Sequence, residues 1–581
     1  MSDLASGPRI RSDARELRRR LAAVRHRLTV WRARRKSSPA WTAAVAVILV
    51  LMLQPIGAIL MLAMAPAESV WPHLVATVLP GTLADTLLLA AGVGALTLVT
   101  GTAAAWLVTM YRFPGRALVD RLLIVPLAMP TYIVAYCYAE VFDYAGPLQS
   151  GLRSLFGWQG ARDYVFPDVR SLGGAIAVLA SVLYPYVYLT ARASFVQQSV
   201  CVLEVARTLG RTPMGAFWAV GLPLARPAIA AGLALVLMET LNDLGAVQYL
   251  GVQTLSASIY STWLQRSNLG GAAQLATVTL VLIAALLGAE RIARGGAKVH
   301  HTTGRYRSIP FQDIDGWKGP AAALLCAIPF LAGFVLPVAV LLRHTVQHAP
   351  AALESGFIRA AGNSLLLATT SAGAAVAIAL LLAYARRVAG NGFIRLAVRL
   401  SGLGYALPGT VLAIGLLIPL AGLDNRIDAL FRERLGISTG LVLSGTVFSL
   451  ILAYVIRFLA VALGSMEAGL ERISPNLDAA ARTLGETALS TLRRVHLPLL
   501  VPAFGSAGLL VFVDAMKELP ATLLLRPFNF DTLATHVYGI AALEQFERAS
   551  LGALTIVLVG LLPVVLLYNA VAGGRAGADR P

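Results

Sequence analysis

Four carboxylates and one lysine stand inside stretches that are otherwise apolar. Glu239 and Asp243 lie four residues apart in one stretch, and Asp514 and Glu518 lie four apart in another, 275 residues further on, with Lys517 between them. On a helix this spacing sets both carboxylates of a pair on one face. At about 1.5 Å of rise per residue, Glu239 is roughly 20 Å and Asp243 roughly 26 Å beyond Arg226, in the outer half of a bilayer. Ionisable groups at that depth are costly unless they are paired or face water, which makes them candidates for function. Two uses fit. They can line a pathway, where hard carboxylate oxygens accept a cation or metal-bearing solute more readily than a free anion. They can equally cap broken helices or hydrogen-bond across a domain interface. Lys517 reads as the one basic residue within a span and offsets only part of the charge, and the five residues name no metal site.

A second set of residues is marked by repetition. Glu204-Val-Ala-Arg-Thr-Leu-Gly210, followed by Phe217 and Leu222-Pro223, returns as Ala479-Ala-Ala-Arg-Thr-Leu-Gly485, followed by Leu492 and Leu497-Pro498. Each copy reads as a helix, a glycine free to end it in a left-handed turn, and a short second helix that the proline, with Pro227 or Pro502 behind it, closes before the next span. Two helices at an angle on a glycine hinge make a rigid knob suited to a groove on another protein.

The elements that must position these residues are membrane helices. The chain has 581 residues, is 57% hydrophobic and 13% charged, and has a mean hydropathy of +0.71, which excludes a soluble globular protein. Apolar runs of about 20 residues, enough to cross some 30 Å of hydrocarbon, begin near residues 42, 84, 118, 172, 227, 272, 320, 363, 394, 440, 499 and 551. Runs such as 41–65 do not alternate in polarity as the strands of a membrane barrel do, so the expected fold is an all-α polytopic membrane protein with about 12 transmembrane helices. With the N-terminus inside, most of the 48 Lys and Arg fall on the cytoplasmic side while the acidic residues do not follow them, as the positive-inside rule requires. Both termini are then cytoplasmic. The net charge of +18 is a topology signal, because the arginines are spread over short loops, and nucleic acid is not an expected partner. The Arg-rich segment 1–41 suits anionic headgroups or a solvated tail. Cys137, Cys201 and Cys326 are too far apart for a ligand motif.

The repeat extends beyond the inserts. Asp85-Thr-Leu-Leu-Leu89 matches Asn363-Ser-Leu-Leu-Leu367, Trp106 matches Tyr384, and Ala128-Met-Pro130 matches Ala406-Leu-Pro408, each 278 residues apart; from about Phe195 the offset is 275. Six spans per half is an even number, so the two halves run parallel and both inserts face the cytoplasm. The expected organisation is a basic N-terminal segment 1–41, a first six-helix domain 42–289, a cytoplasmic linker 290–319, a second six-helix domain 320–572 and a cytoplasmic tail 573–581. The linker's His300-His301 lacks a third ligand nearby and reads as part of a solvated basic loop.

On the inserts, the chain resembles the permeases of binding-protein-dependent ABC importers, whose EAA loop runs Glu-Ala-Ala, three residues, Gly, then an apolar or aromatic position and Leu-Pro. The first copy matches at Glu204, Ala206, Gly210, Phe217 and Pro223, with Val205 in place of an alanine. The second matches at Ala480, Ala481, Gly485 and Pro498, but Ala479 stands where the glutamate belongs, with Asp478 and Glu486 as nearby substitutes. The resemblance implies two tandem six-helix permease domains, each loop docking one copy of an ATP-binding subunit, and a periplasmic or extracytoplasmic substrate-binding protein, all in a bacterial inner membrane. The text around Met238-Glu-Thr-Leu-Asn-Asp-Leu-Gly245 and Met516-Lys-Glu-Leu-Pro520 is similar to the ferric iron subgroup, which implies an iron(III) cargo; a fused thiamine permease shares the architecture.

No phosphate-binding loop is present: the four lysines, Lys36, Lys298, Lys318 and Lys517, do not follow a glycine. No nucleophile triad or HExxH helix is readable either. The chain is therefore expected to be a transport subunit that binds no cofactor, with ATP and Mg used by the partner. An ion-coupled secondary transporter is the rival class, since parallel halves and buried carboxylates suit it as well, but it has no need of paired cytoplasmic knobs. A passive scaffold is disfavoured by the costly breaks at Pro130, Pro408 and Pro520. Outer loops near 143–170, 251–270 and 523–550 are candidates for contact with a binding protein.

Overall fold

The computed structural model describes residues 39–64, 70–197, 212–294, 311–314, 316–352 and 355–572. Glu204, Ala206, Gly210, Cys201 and His300-His301 lie outside the described residues, as does most of the basic N-terminal segment. Eleven described helices are long and apolar enough to cross a membrane, and a bent pair, Arg116–Ala128 with Thr131–Phe156, makes a twelfth. These are the expected spans. In lipid a helix satisfies its own backbone polar groups, and its threonines follow suit: Thr86, Thr97 and Thr109 each donate to the carbonyl four residues back.

All three predicted proline breaks are present. Pro130 stands at a 98° bend, Pro408 opens Gly409–Leu435, and Pro520 opens the short helix Pro520–Leu525. The ninth span differs from expectation in where it starts. Residues 392–401 form a separate amphipathic helix whose Ile394, Ala397 and Val398 are buried while Phe393 and Leu396 are exposed, and the crossing helix begins only at Gly409.

The chain divides into two compact units. The larger comprises Gln54–Ala372, Ala406–Arg457 and Leu509 onward, so it draws on both halves of the repeat. Within it, the helices Leu79–Met110, Leu172–Gln197 and Leu222–Asn242 pack at small residues: a Cβ on Gly101 would lie 2.9 Å from the Tyr184 carbonyl oxygen, and one on Gly232 would lie 2.3 Å from Thr190 Oγ1. A core of Ile59, Leu74, Ile259, Ala272, Val411 and Ile414 joins segments far apart in sequence. The linker is more than a solvated loop in this unit, because Gln312–Asp313 pairs in parallel with Tyr111–Arg112 and the Arg116 guanidinium sits 3.8 Å from the centre of the Phe311 ring.

The smaller unit comprises the described residues up to Leu53, with Gly373–Tyr405 and Phe458–Gly508. In it the end of one helix meets the start of another closely, since a Cβ on Gly469 would lie 2.7 Å from Ala503 Cβ.

Candidate functional site

The second insert can be followed residue by residue. Ser474 caps the helix Pro475–Thr483 through the Asn476 amide, and Pro475 occupies the first turn, where its missing N–H is not needed. The helix ends as the sequence requires. Gly485 takes φ +80°, its amide donates to the Arg482 carbonyl, and the Glu486 amide donates to that of Ala481, the paired bonds of a glycine-terminated helix. None of the described residues packs within 4 Å of the position a Cβ would take there, so glycine is required by the backbone angle.

Asp478 ties this helix down. Its carboxylate accepts from Arg387 Nε at 2.9 Å and lies 2.8 Å from His496 Nε2, while the same guanidinium donates to the carbonyls of Leu470 and Ile473. Ala480, Arg482, Thr483 and Leu484 remain exposed, Leu484 at 83%. The insert is thus fixed on its inner side and offers a small, partly apolar outer face. Glu486, the other candidate substitute for the missing glutamate, pairs with Arg494 at 2.8 Å.

The prolines do not close the second arms. In the first copy the residues from Pro213 run through a wide turn at Phe217–Gly221 straight into the helix Leu222–Asn242; in the second, Leu492–His496 is the same wide turn before Leu497–Met516. Proline lacks the N–H that a regular turn would use, and a locally widened turn accommodates it without ending the helix. The first insert's second arm and the helix carrying Glu239 are therefore one continuous element. Each arm is seated on the matched aromatic. The Trp106 ring lies 4.9 Å from that of Phe217 and covers Gly221, and Tyr384 lies 5.5 Å from the His496 ring and donates to the Ala488 carbonyl. Large against small in one half answers medium against medium in the other.

The four intramembrane carboxylates separate into two kinds. Asp243 and Glu518 are buried and cap the helices after the breaks: Asp243 accepts from the Ala246 and Val247 amides and from the Thr131 hydroxyl, and Glu518 accepts from the Ala521 and Thr522 amides and the Thr522 hydroxyl. Glu518 is also paired with Arg457 at 2.8 Å. Glu239, Asp514 and Lys517 are less enclosed, and Lys517 reaches Asp514 at 3.0 Å with the charge of Glu239 acting on it as well. Lys517 is accordingly not the only intramembrane base. Arg457 is 8% exposed in the span Val447–Glu471, where a single arginine within an apolar run was the available signal. Among the described residues, no group of three His, Cys, Asp or Glu side chains is arranged to hold a metal ion.

The halves interlock around these breaks. The Gly409 amide donates to Asn242 Oδ1 at 2.9 Å, and a Cβ on Gly245 would lie 2.7 Å from both Tyr132 Cβ and Leu519 Cδ2. The repeat also shows in a pair of contacts that sequence comparison missed. The Leu255 amide donates to Thr86 Oγ1 at 2.9 Å and the Leu533 amide to Ser364 Oγ at 2.7 Å, so the offset returns to 278 once the second half has gained three residues between Pro520 and Leu533.

Residues 97–293 match the family model described as the binding-protein-dependent transport system inner membrane component. The chain is 26% identical over 482 residues, 82% of its length and 86% of the relative's, to the Fe(3+)-transport system permease protein FbpB 2 of Haemophilus influenzae. It is 30% identical over 217 residues, 37% of this chain and 74% of the relative, to PhnU of Salmonella choleraesuis, named for a 2-aminoethylphosphonate transport system permease. It is 34% identical over 152 residues, 26% of this chain and 52% of the relative, to the sulfate transport system permease protein CysT of Escherichia coli.

Proposed function

The chain belongs to the family of binding-protein-dependent transport system inner membrane components, and on that premise we propose that it imports ferric iron across a bacterial inner membrane, driven by ATP that a separate subunit hydrolyses. Two tandem permease domains, 42–289 and 320–572, each present one docking insert to one of two ATP-binding subunits. Both termini and the linker 290–319 are cytoplasmic in this reading. ATP and Mg belong to the partner, the chain itself is no enzyme, and a binding protein delivers the cargo from the other face.

The mechanism is alternating access. Closure of the ATP-binding pair draws the inserts together through Glu204, Ala206, Gly210 and Phe217 in one half and Ala480, Ala481 and Gly485 in the other. The first arm is continuous through Pro223 with the helix that bears Glu239 and ends just before Asp243, so a displacement at its cytoplasmic end reaches the carboxylate layer without an intervening joint. Glu239, Asp514 and Lys517 face the path; Asp243 and Glu518 hold the broken helices that frame it.

The observation that carries the iron assignment is the extent of the match to the Fe(3+)-named relative, which runs through both halves, whereas the phosphonate- and sulfate-named relatives cover 37% and 26% of the chain. Those two relatives support an oxyanion cargo as the second reading. The test is uptake by the reconstituted complex with labelled ferric iron, 2-aminoethylphosphonate and sulfate supplied separately on their binding proteins. Ferric iron alone should accumulate; accumulation of either anion and not of iron would overturn the assignment.

A further inference from the structure

Two residues after Pro130 and Pro408 stands a hydroxyl that bonds to none of the described residues. Tyr132 and Thr410 occupy matching places in the repeat, 278 residues apart, and both hydroxyls are enclosed without a hydrogen-bond partner among the described residues. Tyr136, one turn beyond Tyr132 on the same helix face, is in the same condition, its ring 6.0 Å from that of Tyr132. Each such hydroxyl destabilises the fold. Other enclosed hydroxyls among the described residues lack partners too: Thr102, Tyr184 and Ser371 are matched in the other half by Leu380, Leu459 and Val93, and Tyr136 by Ile414, none of which carries a hydroxyl. Only Tyr132 and Thr410 recur, and Tyr136 joins them through its place one turn on from Tyr132.

These groups flank the interlocked layer. Tyr132 packs over Gly245, and Gly409, next to Thr410, lies against Arg457, Glu518 and Ala521. The carboxylates of that layer are already engaged, since both oxygens of Asp243 and both of Glu518 accept hydrogen bonds from the protein. Beside the path-facing Glu239, Asp514 and Lys517, what the breaks themselves offer a solute is neutral hydroxyls, which donate to oxygen atoms and cannot balance the charge of a bare ion.

We propose that Tyr132, Tyr136 and Thr410 form a passage site that receives the cargo through oxygen atoms, so that a metal ion crosses this layer within its shell of oxygen ligands. The site rests on the transport reading above. An oxyanion presents the same chemistry, and the test separates the two sources.

The experiment uses the full chain with its ATP-binding partner in nanodiscs and follows the thermal midpoint with ferric citrate or with sulfate, in the wild type and in Tyr132→Phe, Tyr136→Phe and Thr410→Val. These variants remove only hydroxyls, so the ligand-free midpoint should hold or rise. One of the two ligands should raise the wild-type midpoint, and the variants should lose that rise. A response to sulfate alone, lost in the variants, sustains the hydroxyl site and sinks the iron assignment. No response in the wild type, an undiminished response in the variants, or a lower ligand-free midpoint that shows the hydroxyls to be structural would each overturn the site.

Discussion

Breaking a buried ion pair from one side costs more than the pair contributes, because the remaining charge is left without a partner. Arg457 and Glu518 are such a pair, both nearly enclosed. Arg457→Met should lower unfolding stability in detergent by about 3–5 kcal/mol, and adding Glu518→Gln should restore most of the loss, because the neutral amide still caps the Pro520 helix with its oxygen. Equal losses in the single and double variants would mean that the guanidinium acts through packing alone. At this scale the sequence was half legible. The two carboxylate pairs were plain in the sequence, but the structure sets Asp243 and Glu518 beyond the ends of Leu222–Asn242 and Leu497–Met516, not on one helix face with Glu239 and Asp514, and the division into caps and less enclosed groups was not legible. That division depends on Thr131, 112 residues from Asp243, and on Arg457, 61 residues from Glu518, and no local pattern brings them together. Arg387 was missed in the same way, since its carboxylate partner Asp478 is 91 residues away.

The inserts are where local chemistry decided most. Gly485 holds φ +80° with open space around it, so Gly485→Val should cost about 1–2 kcal/mol of local strain and displace the docking face beyond it. The expected readout is reduced co-purification of the ATP-binding subunit, with Gly485→Asn, which tolerates left-handed backbone better, close to wild type. Equal co-purification in both variants would remove the hinge from the account. The glycine was readable because only one residue type suits that angle. The fate of the Leu-Pro pairs was not, because proline can either end a helix or be absorbed by a widened turn, and the packing of Phe217 on Trp106 holds the first arm in line. The start of the ninth span escaped for a related reason: the helix 392–401 has enough apolar residues to resemble a crossing segment, but they gather on one face.

For the whole molecule, hydropathy and the repeat made the span count and the breaks at Pro130, Pro408 and Pro520 legible, since a membrane leaves the backbone few alternatives. The interlocking of the halves at Asn242, Gly245 and Gly409 was not legible, being a matter of which small residues admit a neighbouring helix. The central claim is that work enters this chain from a separate nucleotide-hydrolysing subunit. The most direct measurement is uptake of iron-loaded binding protein's cargo into proteoliposomes containing this chain, with an active ATP-binding partner, with a partner unable to hydrolyse ATP, and with none. The account predicts accumulation in the first case only. Accumulation driven by a proton or sodium gradient in the vesicles that lack the partner would contradict it.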